Sequence, residues 1–560
     1  MAESSFRIQS DSPANGDLMF WSVVGYEALS RPSRYQLTVL SKNSAIEPKD
    51  ILGRAFDVVI EFADANGAVH ERHCVGYAVR FARRGTTGRY FEYAISLHSW
   101  FWLLGKRFNS RIFQDKTVLQ VLDAVVDDSP IRSLKKRDVD GMIGVQKSRR
   151  YCVQHQESDL QFLSRLLEDE GIYYWFDAHD APGTMYLSNA SDLAHKPLPA
   201  ANTLNLAPSA VSEARFNEFT RWADASHYGS GHYASRDSDF KAIRRTLSGS
   251  SADVAEHELA DLEVFEFPGG YFRDDDPDAS ARIRMEELAA RRKLYWAITS
   301  WPDVAVGRST TLHGIETLDE IDAEHLITGC LCAATHPGYE GADTSSPLDV
   351  RRLLMEWLQE DRHDASHLAE LGEIVHDSPA FNLQRGAQVF LITSIPTNIP
   401  FRPPRTAPTV SMPGPQTAIV VGAEGKEHDV DELGRVKVHF LWDRYDESNE
   451  KSTAWIRVSQ PWAGNGWGGY FAPRIGQEVI VDFINGDADR PIVMGRVYND
   501  DHKIPYKSAT HSGFKTHSTP HGGVKNFNEL RFEDRKDGEQ VFIHAERRMD
   551  VRVKKNKYET

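Results

Sequence analysis

Arg435-Val436-Lys437-Val438-His439-Phe440-Leu441-Trp442 places Val436, Val438, Phe440 and Trp442 on one parity and Arg435, Lys437, His439 and Leu441 on the other. Side chains alternate between the two faces of a strand, so this run predicts a strand with one buried face. The following residues repeat the pattern: Ile456 and Val458, then Val479, Val481 and Phe483, then Ile492, Met494 and Val497. Turn signals separate them at Leu433-Gly434-Arg435, Asn465-Gly466-Trp467-Gly468-Gly469 and Asn485-Gly486-Asp487. About 80 residues with five or six short strands and no helical period predict a small closed barrel of the OB kind. Its expected span is 416–505.

Upstream of the barrel, Phe401-Arg402-Pro403-Pro404-Arg405 through Met412-Pro413-Gly414-Pro415 reads as a Pro-rich linker over 401–415. Residues 1–400 mix strands with a few helices. Tyr35 to Leu40, Phe56 to Phe62 and Tyr90 to Ile95 alternate in part, and Asn66-Gly67 suits a hairpin turn. A helix is expected near 115–127, with Val118, Leu122, Val125 and Val126 on one face. A second begins at Ser158-Asp159-Leu160-Gln161, which has capping-box spacing. Its stripe is Leu160, Leu163, Leu166 and Leu167, and Gly171 stands where a C-terminal cap belongs. Strand formers Ile172 to Phe176 follow. A third helix is expected over 277–295, with Asp276 as N-cap and Pro277 at the first position. A further helical stretch over 349–375 carries Leu353, Leu354, Trp357, Leu358, Leu368 and Leu371.

Downstream of the barrel the chain turns polar. Yet Val541, Ile543, Ala545, Met549, Val551 and Val553 share one parity, broken by Arg547. This is a one-sided strand pattern with nothing nearby in sequence to cover it. Such a segment needs a partner chain. These six residues are the candidate core of an oligomer, and parity alone does not choose three copies over two.

Bulk properties narrow the function. A chain of 560 residues exceeds one ordinary core, so several domains are expected. A hydrophobic content of 41% and a charged content of 26% fit a folded protein. The formal charge of -16 argues against a broad phosphate-binding surface, so no nucleic-acid partner is expected. The four cysteines, Cys74, Cys152, Cys330 and Cys332, do not make a disulfide framework. MAESSFRIQSDSP has no basic segment followed by an apolar one, so no signal peptide is expected.

Cys330, Cys332 and His336 offer only a C-x-C pair, and structural zinc usually takes four ligands at paired spacings. His363 and His367 are four apart but lack the glutamate that a zinc protease places after the first histidine. Ser459-Gln460-Pro461 has no nucleophile elbow around it, and no Gly-Lys-Ser/Thr follows Gly466 to Gly469. Trp462, Trp467, Tyr470 and Phe471 are read as barrel packing or a subunit contact rather than a glycan or single-strand site. Charges in Arg552 to Lys557 flank the inward valines, as on the outer face of a shaft. No catalytic residue, cofactor or metal is expected.

Several of these stretches resemble one family. Asp431 to Val438, Trp455-Ile456-Arg457-Val458-Ser459-Gln460-Pro461-Trp462-Ala463-Gly464, Pro473-Arg474-Ile475-Gly476-Gln477-Glu478-Val479 and Gly486 to Val493 resemble the OB signature of VgrG proteins of type VI secretion. Tyr151 to Gln154 with Gly171 to Phe176 is similar to that family's hub motif, and Phe401-Arg402-Pro403-Pro404 to its hub-to-barrel connection. Phe527-Asn528-Glu529-Leu530-Arg531-Phe532-Glu533-Asp534 is similar to the entry of its needle.

The resemblance implies a mainly β fold with some α. It comprises a tail-hub domain of two barrel-like subdomains over 1–400, an OB-fold barrel, and the start of a triple-stranded β-helix over 506–560. It also implies a homotrimer, a type VI or phage-like spike that is assembled in the cytoplasm and then injected. The implied partners are the Hcp tube, baseplate proteins, a PAAR-type tip and cargo effectors, with membranes met only by puncture. A helical insertion at about 343–376 departs from the family pattern. The chain also stops at Thr560, just where the needle is expected to begin. A spike carrying a lysozyme-like or toxin domain beyond these residues, and a phage tail hub proper, are the alternative readings.

Overall fold

The computed structural model describes residues 5–207, 216–272, 275–314, 323–360 and 372–560. The chain divides into two compact units. The first holds residues 1–108, 117–147 and 158–409. The second holds residues 109–116, 148–157 and 410–560.

The first unit is built on one 13-stranded sheet that curls twice. Its first half runs Ser5–Ser10, Ala55–Ala63, Val69–Thr87, Tyr90–His98, Arg34–Ser41 and Met19–Ala28 in spatial order. Phe6 on the first of these strands stacks on Phe20 of the last at 4.6 Å, which brings the ends of the half together. The second half continues through Glu324–Thr335, Gln388–Pro396, Lys293–Thr299, Glu218–Ser226, Thr203–Leu206 and Arg308–His313, with the two-residue Lys196–Pro197 alongside the last of these. Pairing of Ser309 with Leu326 returns the last strand to the first and closes the ring. Closure leaves few open backbone groups at sheet edges. These are the two barrel-like subdomains. One apolar core, from Val23 and Leu37 to Phe219, Ile327 and Ile392, runs through both.

The hairpin expected at Asn66-Gly67 joins Ala63 to Val69 in register, with Gly67 at φ +81°. The first expected helix is Val118–Asp127, and it carries the full capping box, Thr117 with Gln120. The second is Asp159–Asp169, where only half a box forms. Ser158 Oγ accepts from the Gln161 N–H at 3.1 Å, but the Gln161 side chain donates to the Pro408 carbonyl instead. Phe162, rather than half-buried Leu160, completes the buried stripe with Leu163, Leu166 and Leu167.

The third helix stops at Ala289, short of the expected 295. Lys293–Thr299 is a strand paired on both sides, so its β-forming Tyr295, Trp296 and Ile298 follow the sheet. The insertion forms a helix at Val350–Glu360 and is helical again over 372–377. Val350, Leu353, Trp357 and Val375 pack against Val24, Tyr26, Leu331 and Leu391 of the sheet. The side chains of Leu354 and Leu358, and all of Leu368 and Leu371, lie outside the described residues, as do His363 and His367.

The Pro-rich composition reads as a spacer, but 401–407 is pinned to the first unit. Phe401 packs edge-on against Tyr173 at 5.1 Å, Arg402 pairs with Glu286 at 2.7 Å, and the Thr406 and Ala407 N–H groups both donate to Glu168.

The second unit contains a five-stranded barrel in the order Lys437–Phe440, Gln416–Val421, Glu478–Phe483, Pro491–Arg496 and Arg457–Val458. A bridge between Val436 and Ile456 closes it. Val436, Val438, Phe440, Val479, Val481 and Phe483 fill the core as their parity predicts. The last strand differs from expectation. A register shift opposite Ile480 and Val481 turns Val493 inward and leaves Met494 52% exposed. Residues 109–116 and 148–157 join this unit: Val153 enters the barrel core and its N–H donates to Asp489 at 2.7 Å.

Candidate oligomerisation face

Beyond the barrel, His511–Lys515, Glu529–Glu533 and Gln540–His544 form a three-stranded antiparallel sheet. Its register places Phe514 opposite Leu530, Leu530 opposite Ile543 and Phe532 opposite Val541. Directly opposed residues share a face. One face is therefore Phe514, Leu530, Phe532, Val541 and Ile543. It is uncovered: Phe514 is 61% exposed, Val541 64% and Ile543 58%.

The other face is mostly polar. His511 pairs with Glu533 at 2.8 Å, Arg531 lies 3.5 Å from Glu529, and the Arg531 guanidinium sits 4.7 Å from the ring centre of Phe542. Burying an apolar side chain of this size contributes roughly 1.5–3 kcal/mol. Covering five of them in each chain is thus a strong drive to associate.

Of the six candidates read from the sequence, the structure brings Val541 and Ile543 onto this face. Ala545 is half-buried just past the strand. Met549, Val551 and Val553 are exposed, in residues that form no regular secondary structure in the single chain. Sequence reasoning missed Phe514, Leu530 and Phe532. The alternation Leu530-Arg531-Phe532 was available as a signal, but the pairing that aligns it with Val541 and Ile543 was not.

The barrel aromatics are not core. Trp462 is 65% exposed, Trp467 59%, Tyr470 60% and Phe471 46%, which overturns the barrel-packing reading. They sit on and beside the short Trp462–Ala463 and Gly468–Gly469 hairpin. Phe471 stacks on Phe514 at 5.6 Å, so the barrel aromatics continue the apolar face of the tail sheet.

The C-x-C pair does not assemble with His336. That ring stacks on Tyr339 at 3.9 Å and accepts from the Gly338 N–H. Cys332 instead lies with Cys74 and Glu27, whose ligand atoms are within 4.8 Å of one another. The charge of Glu27 is already answered. Fully buried Arg72 pairs with it at 2.8 Å, and the Tyr35 hydroxyl donates to it at 2.8 Å. Burial pushes the Cys330 thiol up, and the hydrogen bond with Cys332 together with burial pushes Cys74 up, so both stay protonated. The arrangement fits an internal ion pair better than a metal centre.

Three family models match in chain order. Residues 26–337 match the phage tail baseplate hub. Residues 416–498 match the type VI secretion system/phage-baseplate injector OB domain, and 512–560 the bacteriophage T4 gp5 C-terminal trimerisation domain. The type VI secretion system spike protein VgrG1b of Pseudomonas aeruginosa is 33% identical over 99% of this chain and 69% of its own length. VgrG1a of the same organism is 33% identical over 97% of this chain and 78% of its own length. The chain belongs to the VgrG family of type VI secretion spike proteins.

Within the VgrG family, the actin cross-linking toxin VgrG1 of Vibrio cholerae is 30% identical over the whole chain, which spans 47% of that toxin. Among solved structures, a chain of the half-lidded Francisella PdpA-VgrG complex shares the fold at a TM-score of 0.57 and 9% identity, over 97% of this chain and 88% of that one. The E. coli c3393 protein is a type VI secretion component described as similar to the T4 tail proteins gp27 and gp5. It matches at a TM-score of 0.53 and 17% identity, over 88% of this chain and 100% of that one.

Proposed function

We propose that this VgrG chain works as a homotrimeric spike: it caps the Hcp tube, seats in the baseplate, carries a PAAR-type tip and effectors, and crosses a target membrane when the sheath contracts. The observation that carries the proposal is the uncovered apolar face of Phe514, Leu530, Phe532, Val541 and Ile543, on a segment matching a trimerisation domain. Three copies wound about one axis cover three such faces at once. The continuation Ala545, Met549, Val551 and Val553 then winds into the first turns of a triple-stranded β-helix, and the charges between Arg552 and Lys557 face outward. Interchain pairing satisfies backbone groups without open edges, which suits a shaft under load. The role is mechanical, and assembly takes place in the cytoplasm before injection. The 33% identity to secretion spikes over nearly the whole chain favours secretion over a phage tail.

The test is a bacterium with an active type VI apparatus and its own spike genes deleted. Supplying the gene for this protein should restore release of Hcp into the medium. Ile543→Asp, which places a charge on the apolar face, should abolish release at equal cellular protein level. Release by the Asp variant equal to wild type would remove the basis of the proposal.

A further inference from the structure

The first unit carries two open strand edges of opposite charge. The first edge belongs to Val69–Thr87. From Tyr77 to Thr87, one side of this strand pairs with Tyr90–His98. The other side pairs with Ala55–Ala63 only as far as Tyr77, and Gly53 and Arg54 add a last pair of backbone bonds at Ala78. Among the described residues, no strand lies beside Val79 to Thr87 on that side. The turn beyond it is held in place, because the Arg89 N–H donates to the Gly341 carbonyl at 3.0 Å.

This edge is basic. Residues 72–91 contain five arginines and no carboxylate. Arg72 is buried with Glu27, Arg83 donates to the Ile46 carbonyl at 2.7 Å, and Arg89 lies against the Tyr90 hydroxyl. Glu92, the next acid in the chain, accepts from Thr87 Oγ1 at 2.6 Å. Arg80 and Arg84 are exposed and make no hydrogen bond or ion pair among the described residues.

The second edge is Glu263–Glu266, which pairs with His232–Asp237 on one side and, among the described residues, with no strand on the other. Here the charge is reversed. Residues 246–272 contain six carboxylates and no lysine or arginine. Asp253 pairs with Arg292 at 3.3 Å, Asp261 lies 3.7 Å from His232, and Glu266 pairs with Arg405. The exposed side chains of Glu256, Glu258 and Glu263 have no ion pair among the described residues. Leu262 and Phe265 on the same strip are exposed as well.

Open edges are templates for strand addition, and charged side chains limit what can be added. Arginines on an edge turn away a basic strand and admit an acidic one, since opposite charges on neighbouring strands stabilise the pair. Both halves of such a pair stand on this one chain, and neither is used within it. A contact between two different patches of the same protein repeats head to tail and closes into a ring when the rotation allows.

We infer that the hub closes by strand addition between copies: Glu263–Glu266 of one protomer pairs along Val79–Thr87 of the next, Glu258 and Glu263 answer Arg80 and Arg84, and Leu262 and Phe265 are covered. Three such contacts hold the hub ring independently of the tail sheet. The inference rests on the homotrimer proposed above, and it names a second surface that the trimer uses.

Cross-linking of the full chain tests it. Thr86→Cys with Leu262→Cys places one thiol on each edge, and the four native cysteines are all buried. A flexible bismaleimide should convert this variant into covalent dimers and trimers on a denaturing gel, and each single-cysteine variant should stay monomeric there. Adding Arg80→Glu and Arg84→Glu should reduce the cross-linked fraction severalfold. Adding Glu258→Arg and Glu263→Arg to that variant should restore it, which separates a lost contact from a misfolded hub. Sedimentation of each variant runs alongside. A sedimenting trimer without cross-links leaves the basic edge to another protein and overturns this inference alone. Cross-linking that ignores the charge reversal, or is not restored by the compensating pair, also overturns it. A monomer in every variant removes the trimer and this contact together.

Discussion

Arg72 is 0% exposed, and its partners come from distant parts of the chain: Glu27, the Cys330 thiol at 3.8 Å and the Val304 carbonyl. Removing one member of such a pair leaves a charge buried without compensation, which costs about 3–5 kcal/mol. Arg72→Met should therefore lower the stability of the hub unit by that amount in urea unfolding. Glu27→Gln with Arg72→Met should recover part of the loss, because neither charge then remains. None of this was legible in the sequence. Glu27 and Arg72 look like ordinary charges in strands whose neighbours alternate, and only the curl of the sheet brings them together. The C-x-C pair was visible, but its neighbour is Cys74, 256 residues before Cys330, rather than nearby His336.

Among the elements, those with strong local signals were the readable ones. Gly171 ends the Asp159–Asp169 helix at φ +65°, with its N–H on the Glu168 carbonyl and the Ile172 N–H on the Leu167 carbonyl. This is the paired C-terminal motif that glycine favours. A side chain there meets the left-handed penalty of roughly 1–2 kcal/mol. An added Cβ would also lie 2.7 Å from Ile283 Cγ2 and 3.2 Å from Arg402 Cδ. Gly171→Ala should thus destabilise by at least that penalty in thermal or urea unfolding, and a neutral result would mean the turn relaxes. The end of the third helix was harder to read, because Leu294, Tyr295 and Trp296 form a short apolar run that suits helix and strand alike. The tail was half legible. Parity found Val541 and Ile543, but strand pairing brought Phe514, Leu530 and Phe532 to the same face.

At the scale of the whole chain, the small barrel could be read from period-two alternation and glycine turns, because its strands are consecutive and short. The double curl of the hub could be foreseen only through resemblance. Its closing pair joins Arg308–His313 to Glu324–Thr335, and its central seam joins Met19–Ala28 to that same strand, about 300 residues later in sequence. Nor does composition show that residues 109–116 and 148–157 belong with the barrel unit. The proposed trimer rests on the uncovered face of the tail sheet meeting its equals in two other copies. Sedimentation velocity of the purified protein at micromolar concentration measures this most directly. A trimer gives one species at three times 63.2 kDa. A single species at 63.2 kDa, or at twice that mass, would contradict it.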